Sequence, residues 1–131
     1  MDFTSGEMLL TQCRESGIPI SERMILREIE RTGQSRETCV KRMARAYEIM
    51  KDAAESALQS PPKTMGGLIG GEACALAAFL QKREPVCGTL LANAITYAMG
   101  VLEVNASMGL IVAAPTAGSS GGIPGVFLSF Q

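Results

Sequence analysis

RETCVKRMARAYEIMKDAAESALQ, residues 36–59, is the stretch from which the fold class follows. Apolar residues recur in it at Val40, Met43, Tyr47, Met50, Ala54 and Ala57. Steps of three and four place them on one stripe of a helix, with Lys41, Arg45, Glu48, Lys51 and Asp52 outside it. The spacing predicts a helix over 36–59 whose stripe packs into a core; a binding groove is the alternative. Each larger member contributes about 1.5–3 kcal/mol if fully buried. Pro61-Pro62 stops the helix, because neither residue can donate a backbone hydrogen bond.

Toward the N-terminus the punctuation is again helical. Thr4-Ser5-Gly6-Glu7 has the spacing of a capping box ahead of Met8, Leu9, Leu10 and Cys13, and Gly17 is placed to end that helix. Ser21 is the expected cap of a second helix, with Met24, Ile25 and Ile29 as its inner face and Gly33 as its end. Toward the C-terminus a glycine loop, Met65–Glu72, leads into an apolar helix at Ala73–Leu80. A further helix is expected from Gly88 to about Val104. A strand-like run, Leu110–Ala114, enters a second glycine loop at Pro115–Gly122, and Pro124 suits the first position of a last helix. That helix shows no end signal by Gln131, so the chain is expected to stop inside an element. The reading is an all-α fold in one domain over 1–131: helical at 1–60, with a glycine-loop and apolar site region at 61–131. It has the character of a fragment of a larger helical catalytic domain.

Charge is unevenly spread. Of the 25 charged residues, 24 lie before Pro85, and Glu103 is the only one from there to Gln131. An ordinary soluble segment of that length would carry roughly a dozen. Two environments suit such a segment, a bilayer or the interior of a larger protein. Pro85–Leu102 is long enough to span hydrocarbon. However, Thr89, Asn93 and Thr96 interrupt it, and the stretch beyond is broken by Pro115, Pro124 and repeated Gly and Ser, a backbone that lipid cannot satisfy. The interior of a larger assembly is preferred, and no membrane is expected. A net charge of −1 gives no footprint for nucleic acid. The four cysteines, Cys13, Cys39, Cys74 and Cys87, form no C-x-x-C pair, and the chain has no His. No zinc site follows, and reduced thiols in a cytoplasmic protein are expected.

Each glycine loop precedes a helix, an arrangement that exposes N–H groups and a partial positive charge to an anion. Neither loop has a phosphate-binding spacing, so a small carboxylate is a better ligand than a nucleotide. Tight connections with no ligand are the alternative. A pyridoxal-phosphate enzyme would need a Schiff-base lysine, and only Lys63 lies near a loop.

Glu103-Val104-Asn105-Ala106-Ser107-Met108-Gly109, continuing through Ala114-Pro115-Thr116-Ala117-Gly118-Ser119-Ser120-Gly121 to Pro124-Gly125, resembles the signature of iron-sulfur L-serine dehydratases: E-x-N-A, then A-P-T-x-G. Gly67–Ala73 is similar to the family's G-L-x-G-G-[D/E]-A, and Ile20–Met24 resembles the entry segment of the two-chain enzymes. The resemblance covers nearly the whole chain as the N-terminal portion of an α chain. It implies an L-serine ammonia-lyase of amino-acid degradation and gluconeogenesis that converts L-serine to pyruvate and ammonia. A [4Fe–4S] cluster would act on the serine hydroxyl as a Lewis acid. It also implies catalytic roles for Glu103 and Asn105, and substrate binding by Gly70, Gly71, Glu72, Pro115, Thr116, Ala117, Gly118 and Ser119. Ser120 occupies the position of a cluster cysteine in many relatives, and serine is a poor substitute for thiolate. The remaining cluster cysteines would lie beyond Gln131. By this reading the isolated chain carries no cluster and turns over no serine. Its partners would be a β chain or the missing C-terminal part, and further copies of itself in a homo-oligomer. The rival readings are a non-enzymatic helical interaction module and a small membrane-associated protein.

Overall fold

The computed structural model describes residues 2–131. Among them are six α-helices, one short 3₁₀ turn and no strand: α1 Gly6–Ser16, α2 Ile20–Thr32, α3 Arg36–Gln59, α4 Glu72–Leu80, α5 Thr89–Ala106 and α6 Gly122–Ser129, with the 3₁₀ turn at Ala117–Ser119. The all-α expectation holds. The chain divides into two compact units, 1–45 and 46–131, so that α3 begins in one and ends in the other.

In the first unit, α1 is capped by the Ser5 side chain, which accepts from Met8 N–H, so the cap lies one residue later than a Thr4 box would put it. Gly17 and Gly33 close α1 and α2 in left-handed conformations, as their positions predict. α2 starts at Ile20 with Pro19 as its cap residue, not at Ser21. Pro19 supplies the first helical acceptor, its C=O taking Arg23 N–H, and the serine side chain is not needed. The inner face of α2 also differs from expectation. Met24 is exposed, and Arg23 is buried with its Nε donating to Gln12 Oε1 at 2.8 Å. A guanidinium can be buried there because a polar partner accepts from it. Arg36 grips Glu22 through both carboxylate oxygens and ties the start of α3 to α2.

The second unit holds the apolar core. Ala53, Ala54 and Ala57 of α3 pack with Val101 and Val104 of α5 and Leu128 of α6; Tyr47, Tyr97 and Ile111 border them. The expected stripe on α3 is therefore buried only in its C-terminal half. Val40 is exposed and Met43 is 71% exposed. The core is built from alanines because its helices approach closely. A Cβ on Gly100 would fall 2.7 Å from the Ala54 carbonyl oxygen. On α6, a Cβ on Gly125 would fall 2.6 Å from the Ala94 carbonyl oxygen, and one on Gly121, just before the helix, 2.6 Å from that of Ala98. Those distances lie inside van der Waals contact, so only glycine admits this seam between α5 and α6. Pro124 sits inside the first turn of α6, buried, and not at its first position. Leu110–Ala114 forms no strand; it is a connection whose last peptide bond, Ala114–Pro115, is cis. No helix among the described residues is long and apolar enough to cross a membrane.

Candidate functional site

The two glycine loops and the end of α5 meet in the second unit, and α5 itself explains how. Residues two apart on a helix point roughly 200° away from each other, whereas residues three apart share a face. Glu103 accordingly serves one loop and Asn105 the other, while Ala106 reaches the first loop through its helix-end carbonyl, unpaired within the helix. The Glu103 carboxyl accepts from Gly71 N–H at 3.0 Å and from Ala73 N–H at 2.8 Å. The Ala106 carbonyl accepts from Met65 N–H at 3.0 Å, at the opposite end of the same loop. Asn105 Nδ2 reaches toward the Ala117 carbonyl of the second loop at 3.5 Å. The E-x-N-A spacing thus places one carboxyl, one carbonyl and one amide against two loops.

Glu103 is 2% exposed. Burying a carboxyl bare is very costly, and two hydrogen bonds from backbone N–H groups offset that cost. The donors belong to the start of α4, where the first N–H groups have no helical acceptor. The residue at the cap position is Gly71, which has no side chain to offer, and Glu103 supplies the missing cap from 32 residues along the chain. Gly71 takes φ 100° and Gly70 φ 144°. Residues with a Cβ avoid that region, so the sequence needs glycine here for conformation. Space is not the reason: a Cβ on Gly71 would meet nothing closer than Pro61 Cβ at 3.8 Å.

Glu72 is exposed and turns back on the loop, where its carboxyl accepts from Gly70 N–H at 2.6 Å. The Gly70 N–H holds the Glu72 carboxyl below the ordinary glutamate range, with its own N–H and a hydrogen bond with Glu103 acting the same way. Gly70 and Gly71 therefore give their N–H groups to the chain's own carboxyl groups. Thr64 Oγ1 closes the loop from inside by donating to the Ile69 carbonyl.

The second loop is held by its own hydroxyls. Thr116 N–H donates to Ser119 Oγ at 3.2 Å, the two hydroxyls lie 3.0 Å apart, and Ser119 Oγ donates to the Ala114 carbonyl at 3.2 Å. Pro115, Thr116, Ala117, Gly118 and Ser119 are all exposed around this knot. Ser120 is not. It is fully buried, and its hydroxyl donates to the Ala117 carbonyl at 2.7 Å. An open cleft of about 290 Å³ lies elsewhere, lined by Leu80, Lys82, Arg83, Glu84, Thr89 and Asn93, and contains none of these residues.

The donor set does not fit a [4Fe–4S] cluster. Among the described residues no three or more His, Cys, Asp or Glu side chains are grouped to hold a metal ion. Cys13 and Cys39 belong to the first unit; in the second, Cys74 is half-buried on α4 and Cys87 is exposed before α5. The Ser120 hydroxyl is spent on a backbone carbonyl.

Sequence reasoning singled out Glu103 and Asn105 but missed Ala73 and Met65, whose backbone N–H groups complete the arrangement. A backbone donor in an apolar helix leaves no mark in residue type. The available signal was a helix that starts at Gly-Gly with no capping side chain, in a chain whose only late carboxyl is Glu103.

Residues 15–131 match the family model described as serine dehydratase alpha chain. The chain belongs to that family. It is 34% identical over 129 residues to the "Probable L-serine dehydratase, alpha chain" of Bacillus subtilis (strain 168), covering 98% of this chain and 43% of the relative. It is 33% identical over 127 residues to the L-serine dehydratase, alpha chain, of Peptoniphilus asaccharolyticus, covering 97% and 44%. Against the L-serine dehydratase of Streptomyces coelicolor identity is 32% over 125 residues, covering 95% and 27%. The chain thus spans less than half the length of the curated relatives it matches. No solved structure matches it.

Proposed function

We propose that this chain is the part of an L-serine dehydratase α chain that builds the substrate-facing loops of the enzyme. The reaction is loss of water from L-serine, which leaves an enamine; its imine tautomer then takes up water and gives pyruvate and ammonia. One observation carries the reading. The motifs that resemble those of serine dehydratases, the first glycine loop at 67–73 and the A-P-T-x-G loop at 114–118, both meet the last turn of α5, the E-x-N-A segment, through Glu103, Asn105 and Ala106.

Within that reading the two loops divide the work. The first, with Gly70, Gly71 and Glu72, is a wall fixed by internal carboxyl groups. The second presents the exposed Pro115–Ser119 segment, whose hydroxyls and backbone can face the substrate, with Asn105 beside it. The [4Fe–4S] cluster expected from the resemblance is not accommodated by this chain's cysteines or by Ser120, and no step is assigned to it here. The 131 residues alone are then without cluster and without serine turnover. A β chain, or the remainder of a complete α chain, would supply the rest in a cytoplasmic homo-oligomer.

The test is to exchange the matching residues of the Peptoniphilus asaccharolyticus α chain for this sequence, purify the assembled enzyme anaerobically, and measure pyruvate and ammonia from L-serine. Equal amounts of both products are expected. A folded, iron-loaded chimera that releases neither would contradict the reading. For the 131-residue chain alone, iron content and pyruvate should both be at background.

A further inference from the structure

We propose that Glu103 is a positioning residue of the dehydration site: its carboxyl is the acceptor that the start of α4 holds, and it fixes the first glycine loop against α5. The proposal rests on the serine dehydratase reading and refines it, because it removes Glu103 from the candidates for proton transfer and removes Gly70 and Gly71 from the candidates for binding the substrate carboxylate.

Three observations carry it. Both oxygens of Glu103 are engaged, one by Gly71 N–H at 3.0 Å and the other by Ala73 N–H at 2.8 Å. With the residue 2% exposed, its carboxyl meets only those N–H groups and the Glu72 carboxyl, and none of it opens toward solvent where a reacting atom would enter. The adjacent donor, Gly70 N–H, is taken by the Glu72 carboxyl at 2.6 Å. A substrate carboxylate entering at the start of α4 would find the donors it needs already taken by two protein carboxyls. The arrangement is also stiff. Met65 N–H on the Ala106 carbonyl fixes the other end of the loop one helical turn further on, so α5 grips the loop at two points on one face. Since Asn105 leaves the same turn toward Ala117, a shift in the Glu103 clamp changes the placement of one loop relative to the other.

The test pairs an exchange measurement on this chain with kinetics on the assembled chimera. In Glu103→Gln an amide NH₂ replaces one acceptor and faces an N–H donor; in Glu103→Asp the carboxyl is one methylene too short to span both donors. For each variant, amide hydrogen exchange at Gly71 and Ala73 should rise about tenfold or more, while amides in the middle of α5 keep their protection. In the chimera, KM for L-serine should rise about tenfold with kcat changed by less than about threefold, and the pH profile should keep both limbs. Unchanged exchange at Gly71 and Ala73 would overturn the clamp. A kcat loss beyond about a hundredfold with one pH limb missing would make Glu103 an acid or base instead. Loosened amides with kcat and KM both unchanged would leave it merely structural. If Glu103→Gln does not fold, Glu103→Asp carries the same readouts. A wild-type chimera that makes no pyruvate would sink the serine reading itself, a failure visible before any variant is made.

Discussion

At Gly70 and Gly71 the backbone sits at φ 144° and 100°, and a Cβ would meet only ordinary contacts; at Gly121 and Gly125 a Cβ would fall 2.6 Å from the carbonyl oxygens of Ala98 and Ala94. In sequence the two glycine loops look like the same device. In the structure Gly70 and Gly71 of the first are needed for their torsion angles, whereas Gly121 at the end of the second is needed, with Gly125 of α6, for volume. The first loop is held chiefly from outside, by Glu103 and Ala106, whereas the second is held chiefly by its own Thr116 and Ser119 hydroxyls, with Asn105 and the seam of α6 on α5 beside it. Substitutions at the two loops should therefore fail in different ways and by different amounts.

The largest effect is expected at Gly125→Val. Its side chain must displace the backbone of α5 at Ala94, an overpacking that costs about 3 kcal/mol or more in a closely packed core. Thermal unfolding followed by circular dichroism should drop by roughly 10 °C or more for a unit of this size. A melting temperature within about 2 °C of wild type would mean that the α5–α6 seam is looser than described.

Gly71→Ala should cost less, about 1–2 kcal/mol, because an alanine there pays only for a left-handed backbone and meets no close neighbour. Chemical denaturation reports that difference directly. Equal losses at Gly71 and Gly125 would erase the distinction between the first loop and the α5–α6 seam, and a larger loss at Gly71→Ala would reverse it.

The smallest effect is a matter of pH. Glu72 titrates below the ordinary glutamate value in the folded chain, chiefly because Gly70 N–H donates to it. A carboxyl whose folded value is depressed contributes stability that is fully present above the unfolded value. That contribution is lost as pH falls through the folded value. Carbon-detected NMR titration of the Glu72 carboxyl should give a midpoint below that of ordinary glutamates, and Glu72→Gln should flatten the acid side of the stability profile. A midpoint at or above the ordinary value would detach Glu72 from the loop.

Much of the architecture was legible because it is written in local rules. Gly17 and Gly33 stop helices, Pro61-Pro62 follows one, and the three-and-four spacing of residues 36–59 marks its bounds. What was not legible depended on tertiary partners. Met43 belongs to the α3 stripe by spacing, yet it is largely exposed. Arg23 reads as surface by type, yet it is buried because Gln12 accepts its Nε. The candidate site was half legible. Glu103 stood out as the single charge in an uncharged stretch, and Asn105 came with the motif that resembles serine dehydratases. Their opposite directions along α5, and the use of Ala73, Met65 and Ala106 through their backbones, follow from packing that no residue type announces.

The central claim is that the Glu103 carboxyl caps α4 and binds the first glycine loop to α5. Scalar couplings across hydrogen bonds, from the amide nitrogens of Gly71 and Ala73 to the side-chain carboxyl carbon of Glu103, test it most directly in ¹⁵N,¹³C-labelled chain. The account predicts a coupling from both amides, lost in Glu103→Ala. Detection of neither, with the Gly71 and Ala73 amides exchanging freely with solvent, would contradict it.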